Sequence, residues 1–285
     1  MDFSVIIPDR DDDTSKKDYG SIAVVAGMAG MAGASALSAK AALRSGAGLV
    51  RVTAPSNRAV VINILAPEAI YVSPKEVIKH AAGFDAVAIG PGMGKTSGTV
   101  KALAKLFKLC TGPLVIDADG LNCLAVSERL ARLASESAAD IIITPHEAEA
   151  ARLLGIPSVS DRDSAAEALA EKYNCTALLK GHQTIVIGRD GRRYVNETGN
   201  PGMATPGSGD VLTGIITALA GQGLTCFDAA CAGAYIHGSA GDLAAEQRGE
   251  YGMTAADIID KLPEAFLSLQ GFLRRKKWKT SIIGR

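Results

Sequence analysis

The sequence has little of what marks a protein that binds nucleic acid or a membrane. Its 30 lysines and arginines balance its 30 aspartates and glutamates, so the formal net charge is zero. Such a chain offers no basic field for a phosphate backbone. It has no apolar run of spanning length, and its N-terminus is acidic where a signal peptide needs cations. We therefore expect no nucleic-acid partner, no membrane contact and a cytoplasmic location.

Cysteine is also scarce. The five cysteines are an odd number and include no C-x-x-C pair, which indicates neither a disulfide framework nor a zinc site. We expect them to be small apolar residues of the core in a reducing compartment. No Pro/Ser-rich linker divides the chain, so a single α/β domain over residues 1–285 is predicted.

Short continuous apolar runs alternate with longer amphipathic stretches, a pattern typical of βαβ units with helices on both faces of a parallel sheet. A hairpin with Asp190-Gly191 at its tip should join Ile185–Ile187 to Arg193–Val195. The chain after Gly209 should form a helical cap. The predicted strands are 21–26, 49–54, 85–89, 113–116, 140–143 and 176–179, and the predicted helices are 33–45, 96–109, 146–154 and 164–172.

Two glycine-rich segments resemble nucleotide motifs but fail their spacing. The glycines at 27, 30 and 33 do not match the G-x-G-x-x-G dinucleotide fingerprint. Residues 90–96 nearly form a P-loop, but Ile89 stands where its first glycine is required. Because open α/β sheets place ligands at the carboxyl ends of strands, the loop around Gly92 is either a substrate contact or a tight turn.

His146 begins a predicted helix at the end of a predicted strand. A zinc protease would need a second histidine at position 150, which is Ala150. Thr144 as helix cap with Glu147 would account for this segment but not for His146 itself. A structural role and a ligand contact both stay open, and a pure ligand contact predicts that His146→Ala changes stability little.

Two further polar segments follow predicted strands. Asp117 and Asp119 could position Mg²⁺ through water, or could form a solvated turn with an aspartate cap. Lys180 beside Gly181 suits an anion contact, since the ammonium can reach a phosphate while glycine lets the backbone approach.

The strongest signal is the glycine-rich run from 199 to 214. It leads directly into an apolar helix, so free amides and the positive helix end converge near Ser208–Asp210 and predict an anion hole. A carboxylate there would repel phosphate, which favours Asp210 as a general base that takes a proton from an attacking hydroxyl. A plain helix cap would explain the aspartate but not the glycines.

The Gly-Ser-Gly-Asp loop resembles the anion-hole and catalytic-base motif of the ribokinase-like superfamily. Five more segments, in order, resemble the ADP/ATP-dependent NAD(P)H-hydrate dehydratases of that superfamily, and together they cover nearly the whole chain. These segments are residues 89–94, 117–122, 144–146, 179–181 and 199–204.

The resemblance implies a ribokinase-like three-layer α/β/α fold with a mostly parallel central sheet. It also implies repair of hydrated NADH and NADPH, by phosphorylation of the ring hydroxyl and elimination of phosphate. ADP or ATP would be the co-substrate, with Mg²⁺ that no protein side chain ligates directly. A homo-oligomer, a tetramer in this family, is expected. Only about twenty residues precede the first predicted strand, so we expect no epimerase domain.

The resemblance assigns residues to each ligand. Asp210 would be catalytic, and Asp117, Asp119 and Asn122 would support the site. Because Pro206 has no amide hydrogen, the anion hole would use Gly207, Ser208 and Gly209. The hydrated nicotinamide nucleotide would contact Ala34, Gly92, His146 and Asp210. The adenosine nucleotide would contact Lys180, Gly181, His182, Gln183, Thr184 and Gly209.

Two other functions remain to be separated from this one. A vitamin-precursor kinase of the same superfamily would use the same base and anion hole, although the Gly-Pro-Gly and Pro-His segments favour the dehydratase. A nucleotide-binding sensor without chemistry is disfavoured by Asp210, since pure phosphate binding would gain from losing that charge.

Overall fold

One nine-stranded sheet forms the centre of the molecule. The computed structural model describes residues 1–7, 10, 12–54, 57 and 59–283, and part of the acidic N-terminal run lies outside them. The strands are β1 (Ser21–Val25), β2 (Leu49–Val52), β3 (Ile70–Tyr71), β4 (Ala86–Ile89), β5 (Leu114–Ile116), β6 (Ile141–Ile143), β7 (Thr176–Leu179), β8 (Ile185–Ile187) and β9 (Arg193–Val195).

The strands lie in the order β3-β2-β1-β4-β5-β6-β7-β8-β9. All pairs from β3 to β7 are parallel, and β8 and β9 are antiparallel. The six predicted strands and the hairpin are confirmed to within two residues, and β3 was missed. β3 is an edge strand of two residues, too short to show a period.

Helices connect the parallel strands and follow the hairpin. The predicted helices correspond to α2, α5, α8 and α9, and the segment after Gly209 to the last three. They are α1 (Phe3–Ile6), α2 (Ala32–Arg44), α3 (Ala59–Leu65), α4 (Pro74–Lys79), α5 (Ser97–Leu109), α6 (Asp119–Ala125), α7 (Glu128–Ser135), α8 (Glu147–Leu154), α9 (Arg162–Tyr173), α10 (Ser208–Gly221), α11 (Cys226–Arg248) and α12 (Ala255–Ile283).

The two faces of the sheet bury separate hydrophobic clusters. Successive residues of β1 alternate between them, so that Ile22 and Val24 pack on one side and Ala23 and Val25 on the other. The first side is covered mainly by α2, α10 and α11, and the second by α4 to α9. The fold is therefore a three-layer α/β/α arrangement with a mostly parallel sheet, as predicted.

The C-terminal helices are not a separate cap, contrary to expectation. α10 and α11 lie directly on the sheet and form much of one layer, and α12 packs against α2 and α11. The sequence after Gly209 is helical, but its apolar residues are needed to cover the sheet. Within the described residues, no helix is both long and apolar enough to cross a bilayer.

The closest helix contact in this layer joins α2 to α10. A Cβ built on Gly214 would lie 2.2 Å from the carbonyl oxygen of Ser38. The Ser38 hydroxyl in turn donates to the carbonyl oxygen of Asp210 at 2.9 Å. Glycine at 214 therefore lets α10 approach α2 and fixes the position of Asp210.

We expect Gly214→Ala to destabilise the protein by about 1–3 kcal/mol, because the added methyl group must push α10 away from α2. Thermal unfolding measures this change. Gly33→Ala is the matched control: it lies exposed on α2, a Cβ there meets nothing within 4 Å, and alanine favours a helix. Equal melting temperatures for the two variants would contradict the packing argument.

Candidate active site

The residues singled out in the sequence gather at the carboxyl ends of the parallel strands. Gly92 follows β4, Asp117 follows β5, His146 follows β6 and Lys180 follows β7. A parallel bridge between His146 and Lys180 extends β6 and β7 by one pair. Helix α10 begins at the same edge. Its second residue, Gly209, is next to Lys180, since a Cβ built on Gly209 would lie 3.4 Å from the Lys180 Nζ.

The buried Asp117 and the partly buried Lys180 form an ion pair at the centre of this edge. The Lys180 Nζ lies 2.8 Å from Asp117 Oδ1, and the Thr213 hydroxyl donates to Asp117 Oδ2 at 2.8 Å. Burial disfavours the charged form of Lys180, but the neighbouring carboxylates of Asp117 and Glu149 outweigh it and raise the lysine pKa. The ammonium is therefore a fixed internal cation, already engaged by protein groups.

Glu149 links the same lysine to His146. Its Oε2 lies 3.9 Å from the Lys180 Nζ and accepts a hydrogen bond from the His146 backbone amide at 3.0 Å. Burial raises the pKa of the Glu149 carboxyl, and Lys180 opposes that rise. Glu149 was not singled out in the sequence, although it stands three residues after His146.

His146, not Thr144, caps α8. The His146 Nδ1 accepts hydrogen bonds from the amides of Ala148 and Glu149 at 3.1 and 3.4 Å, and Glu149 completes a capping box. Thr144 is buried and donates instead to a strand carbonyl. The predicted cap of Thr144 with Glu147 is therefore wrong by two residues. The imidazole remains about half exposed, at 51%, so it can also meet a ligand.

Asp210 lies in the first turn of α10, after Gly207 in a left-handed N-cap conformation at φ 89°. No hydrogen bond to its carboxylate is found within the described residues. Burial raises the pKa of Asp210 to about 7, Asp117 adds to the rise, and Lys180 opposes it. An unpaired carboxyl with a pKa near neutrality is suited to accept a proton from a bound hydroxyl.

The anion-hole prediction needs one correction. The Ser208 amide donates to the Thr205 carbonyl at 3.3 Å, and its hydroxyl lies 3.2 Å from the Nε2 of buried His237. In the described part of the chain the amides of Gly207, Gly209 and Asp210 have no hydrogen-bond partner. Asp210 thus replaces Ser208 among the free donors, since the first amides of a helix lack intrahelical acceptors.

A family model described as NAD(P)H-hydrate dehydratase matches residues 22–264. The chain belongs to this family. It is 40% identical over 280 residues to the bifunctional NAD(P)H-hydrate repair enzyme Nnr of Moorella thermoacetica, covering 93% of this chain and 52% of that protein. It thus spans about half the length of that relative. It is 39% identical over 261 residues to the ADP-dependent (S)-NAD(P)H-hydrate dehydratase of Neisseria meningitidis, covering 90% of this chain and 88% of that one.

Solved structures give the same result for the fold. The ADP/ATP-dependent NAD(P)H-hydrate dehydratase of Bacillus subtilis, co-crystallised with ATP/Mg²⁺, superposes with a TM-score of 0.84 at 28% identity, covering 94% of this chain and 96% of that one. The ribokinase of Arabidopsis thaliana superposes with a TM-score of 0.55 at 12% identity, covering 85% and 98%. The ribokinase-like fold implied by the sequence motifs is therefore confirmed.

Within this family fold, Ala34 and Gly92 lie side by side. Gly92 has φ 60°, and a Cβ built on it would lie 3.1 Å from the Ala34 Cβ and 2.9 Å from the Met31 Cβ. The loop after β4 therefore rests on the start of α2. The fold thus brings together two residues that were assigned to the same substrate. They are 58 positions apart in the sequence, so the sequence alone does not show that they are neighbours.

Asp119 and Asn122 act on the loop rather than on Asp117. The Gly94 amide donates to Asp119 Oδ2 at 2.7 Å, and the Asn122 Nδ2 lies 3.4 Å from Asp119 Oδ1. Between the two aspartates, Ala118 has φ 49° and ψ −118°. This conformation is costly for a residue with a Cβ, and it turns Asp117 and Asp119 to different partners.

The segment after Lys180 divides into two parts. Lys180 points inward to Asp117, whereas Gly181, His182 and Gln183 are exposed. The carbonyls of His182 and Gln183 accept hydrogen bonds from the Arg162 Nη1, and the Thr184 hydroxyl donates to the Gly181 carbonyl at 3.0 Å. The five residues of this segment, which with Gly209 were assigned to the adenosine nucleotide, therefore do not all face one surface.

Thr213, His237, Arg162 and Glu149 are the site residues that sequence reasoning missed. Thr213 carried a signal, because it follows Asp210 by three residues on the same face of a helix. His237 carried none, since α11 contacts Ser208 only in the folded chain. Burial lowers the pKa of His237 to about 4, so it is neutral at physiological pH.

A direct metal site is not formed by these groups. Among the described residues, no set of three or more histidine, cysteine, aspartate or glutamate side chains is placed to hold a metal ion. Both oxygens of Asp117 already accept hydrogen bonds, from Lys180 and Thr213. The Asp117 carboxylate is therefore engaged by protein groups.

We expect His146→Ala to lower the free energy of unfolding by about 0.5–2 kcal/mol, because α8 loses its cap. This replaces the expectation of little change in stability. His146→Asn is the control, since asparagine caps a helix as well as any residue, and chemical denaturation measures both. An equal loss in the two variants would show that the imidazole does more than cap.

Asp210 should make stability depend on pH. Its pKa of about 7 in the folded chain exceeds the value of about 3.9 in an unfolded one. The folded state therefore binds more protons between these values, and this contribution to stability is full below about pH 4 and lost as the pH rises through about 7. Asp210→Asn should raise the melting temperature relative to wild type at about pH 8, and much less at about pH 4.

Asp12→Asn, at an exposed carboxylate, serves as the control for that comparison. Thermal scans across this pH range should show no growing gain for Asp12→Asn. A gain for Asp210→Asn that is the same at both ends of the range would contradict the raised pKa.

Proposed function

We propose that this chain catalyses the nucleotide-dependent dehydration of hydrated NADH and NADPH, with ADP or ATP as co-substrate. The observation that carries the proposal is Asp210, an unpaired carboxylate with a pKa near 7 beside the free amides at the start of α10. The names of the relatives from Neisseria and Bacillus support the reaction. Family membership covers the dehydratase portion, and the proposal extends to no other activity.

The reaction would proceed in two steps. Asp210 takes the proton from the ring hydroxyl while the hydroxyl oxygen attacks the terminal phosphorus of the nucleotide. The bond from that phosphorus to the rest of the nucleotide breaks, and AMP leaves from ADP, or ADP from ATP. The phosphorylated oxygen then departs as inorganic phosphate, and the neighbouring ring carbon loses a proton to restore the double bond. Phosphorylation is needed because hydroxide is a poor leaving group.

The free amides of Gly207, Gly209 and Asp210 would hold the transferred phosphoryl group. Bound Mg²⁺ would supply charge neutralisation at the phosphates. The backbone of residues 181–184 and Gly209 would contact the rest of the nucleotide. We infer a different role for Lys180: it is a positioning residue whose charge, fixed by Asp117 and Glu149, limits how far the Asp210 pKa rises.

Ala34, Gly92 and the exposed part of His146 would contact the hydrated nicotinamide nucleotide. All three stand at the carboxyl edge of the sheet, as Asp210 does. A kinase of this fold that releases its phosphate ester would need the same base, so only the product separates that alternative. A sensor without chemistry is disfavoured by a carboxylate at a phosphate site.

The same proposal includes a single domain, a homo-oligomeric state and a cytoplasmic location. Val60, Ile64 and Leu65 expose a large apolar surface on α3, which supports self-association. The cysteines are all free thiols, and four of the five are buried, which supports a reducing compartment. Light scattering tests the oligomeric state.

The decisive experiment supplies hydrated NADH with ADP or ATP and Mg²⁺ and follows the absorbance of reduced nicotinamide together with phosphate release. We expect both to rise in equal amounts and to require nucleotide. Asp210→Asn should slow turnover by about 10²–10⁴-fold, because the amide cannot accept the proton. Calorimetry should show ADP bound to this variant at least as tightly as to wild type, since a negative charge has been removed.

Dehydration at an undiminished rate without nucleotide would overturn the proposal. Near-full turnover by Asp210→Asn would overturn the role of the base. A stable phosphate ester without recovery of the absorbance would identify the kinase alternative.

A further inference from the structure

A cavity of about 430 Å³ lies away from the candidate active site. It is bordered by Ser21, the first residue of β1, and by Gly83 and Phe84, which precede β4. These positions mark the amino ends of the parallel strands. Asp210 and Lys180 stand at the carboxyl ends, so the cavity belongs to the opposite edge of the sheet.

Arg51 of β2 lines this cavity and is only partly satisfied. Its Nη1 donates to the Ser21 hydroxyl at 2.7 Å, and its guanidinium carbon lies 5.6 Å from the centre of the Phe84 ring. In the described part of the chain Arg51 forms no ion pair with a carboxylate. A guanidinium has five N–H donors, so this half-buried group keeps several for another acceptor.

The remaining lining favours an anion with an apolar body. Val72, Val77 and Phe84 supply an apolar wall beside the guanidinium. Glu76 also borders the cavity, but its carboxylate lies 3.6 Å from the Nε2 of His80, and both side chains are exposed at the rim. Arg51 is therefore the cation that faces the interior.

We propose that this cavity is a second small-molecule site that takes a monocarboxylate with a flat apolar body. The carboxylate would accept two parallel hydrogen bonds from Arg51, the geometry that a guanidinium fork favours. The apolar body would lie against Phe84 and the two valines. The volume is within the range of small-ligand pockets. This site is independent of the proposed dehydratase chemistry.

Benzoate is the probe, with the full chain, calorimetry and ligand-observed NMR as readouts. We expect saturable binding of benzoate and binding about tenfold or more weaker for benzamide, which has the same shape without the charge. Acetate should also bind at least about tenfold more weakly, because it lacks the apolar body. These three ligands are compared on the unsubstituted protein, so the test does not depend on whether a variant folds.

Arg51→Met should abolish the preference for benzoate over benzamide. Arg44→Met is the matched control, since Arg44 is exposed at the end of α2 and outside the cavity, and it should bind benzoate as wild type does. Benzoate should bind Asp210→Asn unchanged and should not compete with ADP. Equal affinity for benzoate and benzamide, tight binding of acetate, or displacement of benzoate by ADP would each overturn the proposal.

Discussion

The buried contact between Lys180 and Asp117 holds the candidate site together. It joins the end of β7 to the end of β5, and through Thr213 it fixes the helix that carries Asp210. A charge left without its partner at such a depth costs about 3–5 kcal/mol, so neither member can change alone without disturbing the strand ends. The pair also acts on the proposed base: burial raises the pKa of Asp210, Asp117 adds to the rise, and Lys180 opposes it.

Helix α10 transmits that constraint to the substrate side. Its first turn presents free amides and Asp210, its next turn presents Thr213 to Asp117, and Gly214 lets the helix approach α2. Because α2 also carries Ala34, against which the Gly92 loop rests, one helix contact sets the distance between the proposed base and the proposed substrate residues. Packing between α2 and α10 therefore fixes the relative positions of the candidate site residues.

The fold was predictable where a strand is buried on both faces of the sheet, because such a strand appears in the sequence as a continuous apolar run. β1, β4 and β7 have that pattern and their bounds were found within two residues, whereas the two-residue β3 and the short α6 have none. α6 starts at Asp119 after Ala118, which has a positive φ of 49°, a conformation that glycine usually signals. The helical cap was mistaken because a sequence shows that a segment is apolar but not which surface it covers.

Residue types and their order along the chain were enough to predict the parallel sheet, the edge at which the candidate residues gather, and Asp210 after a glycine loop. Only the tertiary structure decided which polar groups are already engaged. The contact of Lys180 with phosphate stays a prediction, but the structure adds that its ammonium donates to Asp117 and lies near Glu149, and that His146 caps α8. Sequence spacing specifies what a side chain can offer. Whether its hydrogen bonds and charge remain available depends on neighbours from distant parts of the chain, and these meet only when the sheet has formed.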